Sequence, residues 1–283
     1  MNHEVETIAN EHCGCGENPL WDEINQCLYW TDIPNGRLFR LDASGEWQRI
    51  YDGELVGGFT LQENGNLLLF RDHNIALLDD DNTVKVLLSG FDADAGRFND
   101  VVADPAGRVF AGTMGQDLKG GVYRVDTNLA VEKMQGGTNC SNGQDFSLDL
   151  KTYYWSESTA KKIYRFDYDK NSGAIANRKV LFDVPSDWGI NDGLTIDSAG
   201  CLWIAFHGES AVRRFSPDGQ VMETIKMPAP NVTSLIFGGP ELDELYITSA
   251  GGEDGSNTLD GALFKMQPGV KGRSSFRSKI GTL

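Results

Sequence analysis

Glu17, Asn99, Asn142 and Asp192 are the residues of this chain best suited to chemistry, because each stands at the head of the same short pattern. In Glu17-Asn18-Pro19-Leu20-Trp21-Asp22, Asn99-Asp100-Val101-Val102-Ala103-Asp104 and Asp192-Gly193-Leu194-Thr195-Ile196-Asp197, a polar residue precedes an Asp by five places, with a short apolar run between them. Asn142-Gly143-Gln144-Asp145-Phe146-Ser147 is a fourth copy that ends in Ser, and weaker copies begin at Gly57 and Thr233. Two carboxylates and two amides gathered in one small volume would be a set of hard oxygen donors. Such carboxylates repel each other unless a cation lies between them. Donors without Cys or His suit Ca²⁺, Mg²⁺ or Mn²⁺ better than Zn²⁺. The blander reading of the same residues is that they cap strand ends and hold water in a channel.

The elements that must position these residues follow from their spacing. The six leading residues, Glu17, Gly57, Asn99, Asn142, Asp192 and Thr233, lie about 40 to 50 positions apart, the period of a four-stranded propeller blade. Turn signals such as Pro34-Asn35-Gly36, Pro105-Ala106-Gly107 and Pro217-Asp218-Gly219 separate short runs rich in β-branched and aromatic residues, and no stretch keeps a helical period. The expected fold is therefore all-β: one six-bladed β-propeller domain over residues 1–283, with four-stranded antiparallel blades. The innermost strand of each blade begins beside the central axis, so the leading residues converge there. The segment Val5-Glu6-Thr7-Ile8 is expected to supply the outermost strand of the last blade and close the ring. Trp155 and Trp203 read as blade packing, Asp167-Tyr168-Asp169-Lys170-Asn171-Ser172-Gly173 as a hairpin turn rather than a calcium loop, and Lys271-Gly272-Arg273 as an exposed tail.

Composition narrows the partners. A net charge of −16 disfavours nucleic acid and anionic membrane surfaces, and no apolar stretch approaches the ~20 residues that span a bilayer. The first residues lack the basic start and apolar run of a secretory signal. Five cysteines at irregular spacing argue against a disulfide framework and for free thiols in a reducing cytoplasm. The expected state is a cytoplasmic monomer or weak homo-oligomer.

Several longer motifs resemble the senescence marker protein (regucalcin)/gluconolactonase/luciferin-regenerating enzyme family: Cys13-Gly14-Cys15-Gly16-Glu17-Asn18-Pro19-Leu20-Trp21, Gly96-Arg97-Phe98-Asn99-Asp100, Asp104-Pro105-Ala106-Gly107-Arg108, Phe110-Ala111-Gly112-Thr113-Met114, Ser141-Asn142-Gly143, Asn191-Asp192-Gly193 and Phe237-Gly238-Gly239-Pro240. They run in order along nearly the whole chain. The resemblance implies a six-bladed propeller holding one divalent metal ion through Glu17, Asn142 and Asp192, with Ca²⁺ expected first and Zn²⁺, Mn²⁺ or Mg²⁺ as alternatives. It implies that Arg97 and Asn99 face the substrate, Asn99 within reach of the ion or its water. The implied activity is hydrolysis of an aldonolactone such as gluconolactone. Where animal members carry acidic residues after Gly-Thr-Met, this chain reads Gly115-Gln116-Asp117, which makes Asp117 the candidate for that substrate contact. Asp100 and His207 are further candidates, although His207 also reads as an ordinary loop histidine.

A lactone carbonyl is already electrophilic, so a catalyst must polarise it and supply a nucleophilic water at neutral pH, which a divalent ion does. Asp192 is the expected general base as well as a ligand; the alternative is a water activated by the ion alone. Arg97 would grip sugar hydroxyls or the ring oxygen with its planar fork. A Gly-x-Ser-x-Gly elbow is absent, which argues against a serine hydrolase. Two other functions share the same residues: an organophosphate or aryl-ester hydrolase on the same ion, and a calcium-binding protein without catalysis.

Overall fold

The computed structural model describes residues 3–251 and 257–281. Its strands form six four-stranded sheets, each an antiparallel meander in chain order except the last. The innermost strands are Gly16–Asp22, Val56–Leu61, Arg97–Ala103, Ser141–Phe146, Ile190–Ile196 and Val232–Gly238, heading blades 1 to 6. Blade 6 takes its outermost strand from the start of the chain: Glu6–Asn10 pairs antiparallel with Ala262–Met266, Glu6 opposite Lys265 and Asn10 opposite Ala262. The ring is closed as the sequence suggests, and no blade is left a strand short. The one helical element among the described residues is a single 3-10 turn at Ala93–Ala95, and none is long and apolar enough to cross a bilayer.

Alternation along the strands places apolar side chains between blades. Trp155 and Trp203 are buried there, in second strands. Trp203 meets Phe237 of blade 6 edge-on at 5.8 Å, while Trp155 donates its indole N–H to Ser141 Oγ at 2.9 Å. Gly57 marks a place where blades approach too closely for any side chain: a Cβ there would lie 1.9 Å from the carbonyl oxygen of Phe98. Blade 2 can therefore offer no side chain at its leading position.

The Asp that ends a pattern caps the turn that follows it. Asp104 Oδ1 accepts from the N–H groups of Ala106 and Arg108 at 2.9 and 3.0 Å, and Asp197 Oδ1 from those of Ala199 and Cys201 at 2.9 and 3.0 Å. These carboxylates cap the turns between first and second strands, on the face opposite the leading residues. Asp169 likewise caps a hairpin turn, its Oδ1 accepting from Asn171 N–H at 2.9 Å.

The segment after Met266 is not an exposed tail, contrary to the sequence reading of Lys271-Gly272-Arg273. It crosses the turn face and touches every blade: Gly272 N–H donates to Leu242 O, Ser198 N–H to Lys271 O, Arg273 pairs with Asp145, Arg277 with Asp22, Gln62 Nε2 donates to Ile280 O, and Lys279 N–H to Gly107 O. Ser278 and Ile280 are fully buried. Lys271 pairs with the exposed Glu241, while Arg273 and Arg277 are spent on the buried carboxylates of Asp145 and Asp22. Truncating one partner of such a pair strands the other charge. Arg273→Ala should therefore lower the unfolding free energy by about 3 kcal/mol, seen as a lower urea midpoint at unchanged slope. An unchanged midpoint would mean the segment adds nothing to the ring.

Candidate functional site

Every innermost strand is broken by one extra residue, at its leading residue in blades 2 to 6 and directly after Glu17 in blade 1. The ladder between first and second strands runs Glu17–Thr31 and then Leu20–Tyr29, Ser141–Glu157 and then Gln144–Trp155, Asn191–Phe206 and then Leu194–Ile204. The same irregularity occurs in the other three blades. A bulge frees its residues from the pairing pattern and re-aims their side chains, here toward the axis. Two of the freed residues, Asn18 and Asp100, adopt φ of +47° and +54°. Gly193, directly after Asp192, is required by the same crowding: a Cβ on it would stand 2.2 Å from Ser234 Oγ of blade 6.

Glu17, Asn142 and Asp192, from blades 1, 4 and 5, are buried at the mouth. Asp192 and Glu17 are close enough for each to shift the other's carboxyl, and Ser234 stands near enough to ease the rise at Glu17. Burial pushes Glu17 up to about 7, against the opposing N–H of Asn18, which donates to Glu17 Oε2 at 2.6 Å. Burial and then the Glu17 charge hold Asp192 well above the usual carboxylate range. Asp192 Oδ1 is buried without a hydrogen-bond partner, a costly state for a carboxylate oxygen. Asn99 donates from Nδ2 to Asn142 Oδ1 at 2.6 Å and to Ser141 O at 2.9 Å. Arg97 leans over this group, donating from Nη1 to Asn99 Oδ1 at 2.9 Å and from Nη2 to the thioether of Met114 at 3.2 Å.

Two buried carboxyls, an orphaned oxygen and neighbouring amide oxygens fit a hard divalent cation. Among the described residues no three His, Cys, Asp or Glu side chains form a cage, so amide oxygens would have to complete the set.

Of the remaining candidates, Asp100 is close enough to this group that the Glu17 charge adds to burial in raising its carboxyl, and its own charge adds to the rise of Asp192. Asp100 lines a cavity of about 70 Å³ beneath the mouth with Thr60, Gln144 and Asp145, and burial raises its carboxyl strongly. Asp117 is exposed in the turn after Met114, on the same rim as Arg97, and contacts none of the mouth residues. His207 ends a second strand opposite Ile190, also on the rim; it is half-buried, burial lowers its pKa, and its ring makes no hydrogen bond to a described residue. Sequence reasoning passed over Cys15 and Cys140, which stand two places before Glu17 and Asn142. Burial raises both thiols, with Glu17 and Asp192 adding to the rise, Cys140 to about 12. Their shared offset within the repeat was the available signal. All five cysteines are free.

Residues 15–251 match the family model described as the SMP-30/gluconolactonase/LRE-like region. The chain is 38% identical over 289 residues to pentonolactonase XacC of Haloferax volcanii, covering 98% of each. It is 34% identical to regucalcin of Sus scrofa, covering 95% of this chain and 96% of that one. The structure superposes with a TM-score of 0.91 and 25% identity on a calcium-binding protein, regucalcin, from Agrobacterium tumefaciens, covering 98% of each.

The raised carboxyls make the metal-free protein sensitive to pH. Glu17 moves from an ordinary 4.5 to about 7, and a group raised on folding stabilises fully below its unfolded pKa and loses that contribution as pH rises through the folded one. In EDTA the melting temperature should fall between about pH 4.5 and 7, and saturating Ca²⁺ should flatten the decline. A melting temperature that rises over this window in EDTA would contradict the buried pair.

Proposed function

We propose that this chain, which belongs to the SMP-30/gluconolactonase/LRE-like family, hydrolyses a small sugar lactone with one divalent cation held at the channel mouth. The observation that carries the reading is the Glu17–Asp192 pair with its unpartnered Asp192 Oδ1. Its relatives' names, pentonolactonase among them, support the lactone. Glu17, Asn142 and Asp192 hold the cation, with Asn99 as a further oxygen donor, and the calcium-binding relative favours Ca²⁺. When bound, such an ion polarises a lactone carbonyl and acidifies water.

The chain's own residues do the rest. Asp192 accepts the proton of the attacking water. Arg97, anchored through Nη1 and held at Nη2 only by a thioether, turns its fork to the ring oxygen and hydroxyls. Asp117 is the exposed acid on that rim available to the distal hydroxyls. Attack at the carbonyl expels the ring oxygen and leaves an aldonate, with no acyl-enzyme needed. Five free thiols fit a reducing compartment such as the cytoplasm.

In a pH-indicator assay on D-glucono-1,5-lactone and pentonolactones, turnover should vanish on EDTA stripping and return with a single added divalent ion. Asp192→Ala should lose about 10³-fold in kcat while keeping the wild-type circular dichroism spectrum. Near-normal turnover by that variant, or by the stripped protein, would sink the assignment.

A further inference from the structure

We infer that Ser158 is a positioning residue that fixes which atom of Asn142 faces the channel axis and ties that amide to the strand carrying Asp192. The inference rests on the cation site proposed above.

Ser158 follows the second strand of blade 4, Thr152–Glu157, and its hydroxyl sits between two blades. Its Oγ–H donates to Asn191 O of blade 5 at 2.7 Å, and its Oγ accepts from Asn142 Nδ2 at 2.8 Å. Directionality decides the matter. A peptide carbonyl can only accept, so the single hydroxyl proton is committed to Asn191 O. What remains on Ser158 toward Asn142 is a lone pair, which only the amide NH₂ can satisfy. The Oδ1 of Asn142 is thereby turned away from Ser158, toward Asn99 and the mouth, the orientation an oxygen ligand requires. Cys140 Sγ, at 3.5 Å from the same Nδ2, is a weaker second acceptor on that side.

Ser158 is itself held. Its N–H donates to Cys140 O at 3.2 Å, and Glu157 caps the turn behind it by accepting from Thr159 and Ala160 N–H at 2.9 and 2.8 Å. The blade repeat shows that the hydroxyl is specific to this place. Blade 1 and blade 6 make the same backbone bond, two residues before their leading positions, from Ile33 to Cys15 O at 2.9 Å and from Ala250 to Asn231 O at 2.8 Å. Neither Ile33 nor Ala250 can make the relay. In blade 3, whose leading residue Asn99 is also an amide, the matching position is Met114, and that amide is held instead by Arg97 at Oδ1 and by Asn142 Oδ1 and Ser141 O at Nδ2, so the hydroxyl relay belongs to blade 4. It bonds the backbone of Asn191, directly before Asp192, so one side chain orients one donor and locates another.

The test is calorimetric titration of EDTA-stripped wild type, Ser158→Ala and Ser158→Thr with Ca²⁺ and, in parallel, Mn²⁺. The Ala variant should bind about 10-fold or more weakly, its lactonase activity should need correspondingly more ion, and its metal-free melting temperature should stay near wild type. Thr, which keeps the hydroxyl, should recover the affinity. Equal affinity in wild type and Ser158→Ala overturns the inference and leaves the cation reading intact. A weakened Ala variant with a clearly lower metal-free melting temperature and no recovery by Thr also overturns it, in favour of a packing role. Wild type that takes up neither ion removes the cation reading, and this inference with it.

Discussion

Two carboxyl groups buried within reach of each other cannot both be ionised unless positive charge lies between them. Glu17 and Asp192 meet this condition on the axis of a six-bladed ring, and the surrounding structure accommodates it. Bulges in all six innermost strands interrupt the pairing at the leading residue or, in blade 1, directly after Glu17. Amides rather than further acids fill the nearest positions from blades 3 and 4, which limits the repulsion. Blade 2 supplies only Gly57, because the backbone of blade 3 presses against it. The asymmetry of the site thus comes from what each blade can afford to place at one equivalent position.

Much of this was legible in the sequence because a propeller writes its geometry as a period. The spacing of the leading residues gave the blade count, and the shortage of strands at the end of the chain gave the closing role of the first strand. What the pattern concealed was the division of labour inside it. The Asp at the far end of each copy looked like part of one motif with the leading residue, yet it caps a turn on the opposite face. Residues outside the repeat carried no such signal. Ser158 is one serine in a turn by sequence, and its bonds to Asn142 and Asn191 exist only once two blades are side by side.

Charge misled in one stretch. Lys271, Arg273 and Arg277 in a glycine- and serine-rich sequence have the look of solvated chain, because basic residues are seldom buried unless paired. The acids that pair with Arg273 and Arg277 lie 128 and 255 positions away, beyond any local window. The channel thereby acquires two unlike ends: one lined by carboxyl and amide groups, the other crossed by the chain itself.

The pairing of Glu6 with Lys265 and of Asn10 with Ala262 has a kinetic meaning. These contacts join nearly the two extremes of the described sequence, and contacts of such separation form late and slowly because the loop they close is long. Glu17 belongs to blade 1 and Asp192 to blade 5, with blade 6 between them in the ring. A half-assembled propeller can hold well-formed blades and still have no site. Assembly of the oxygen cluster is therefore a report on the last step of folding, and a cation captured there would act as a latch on a circle that has just been shut.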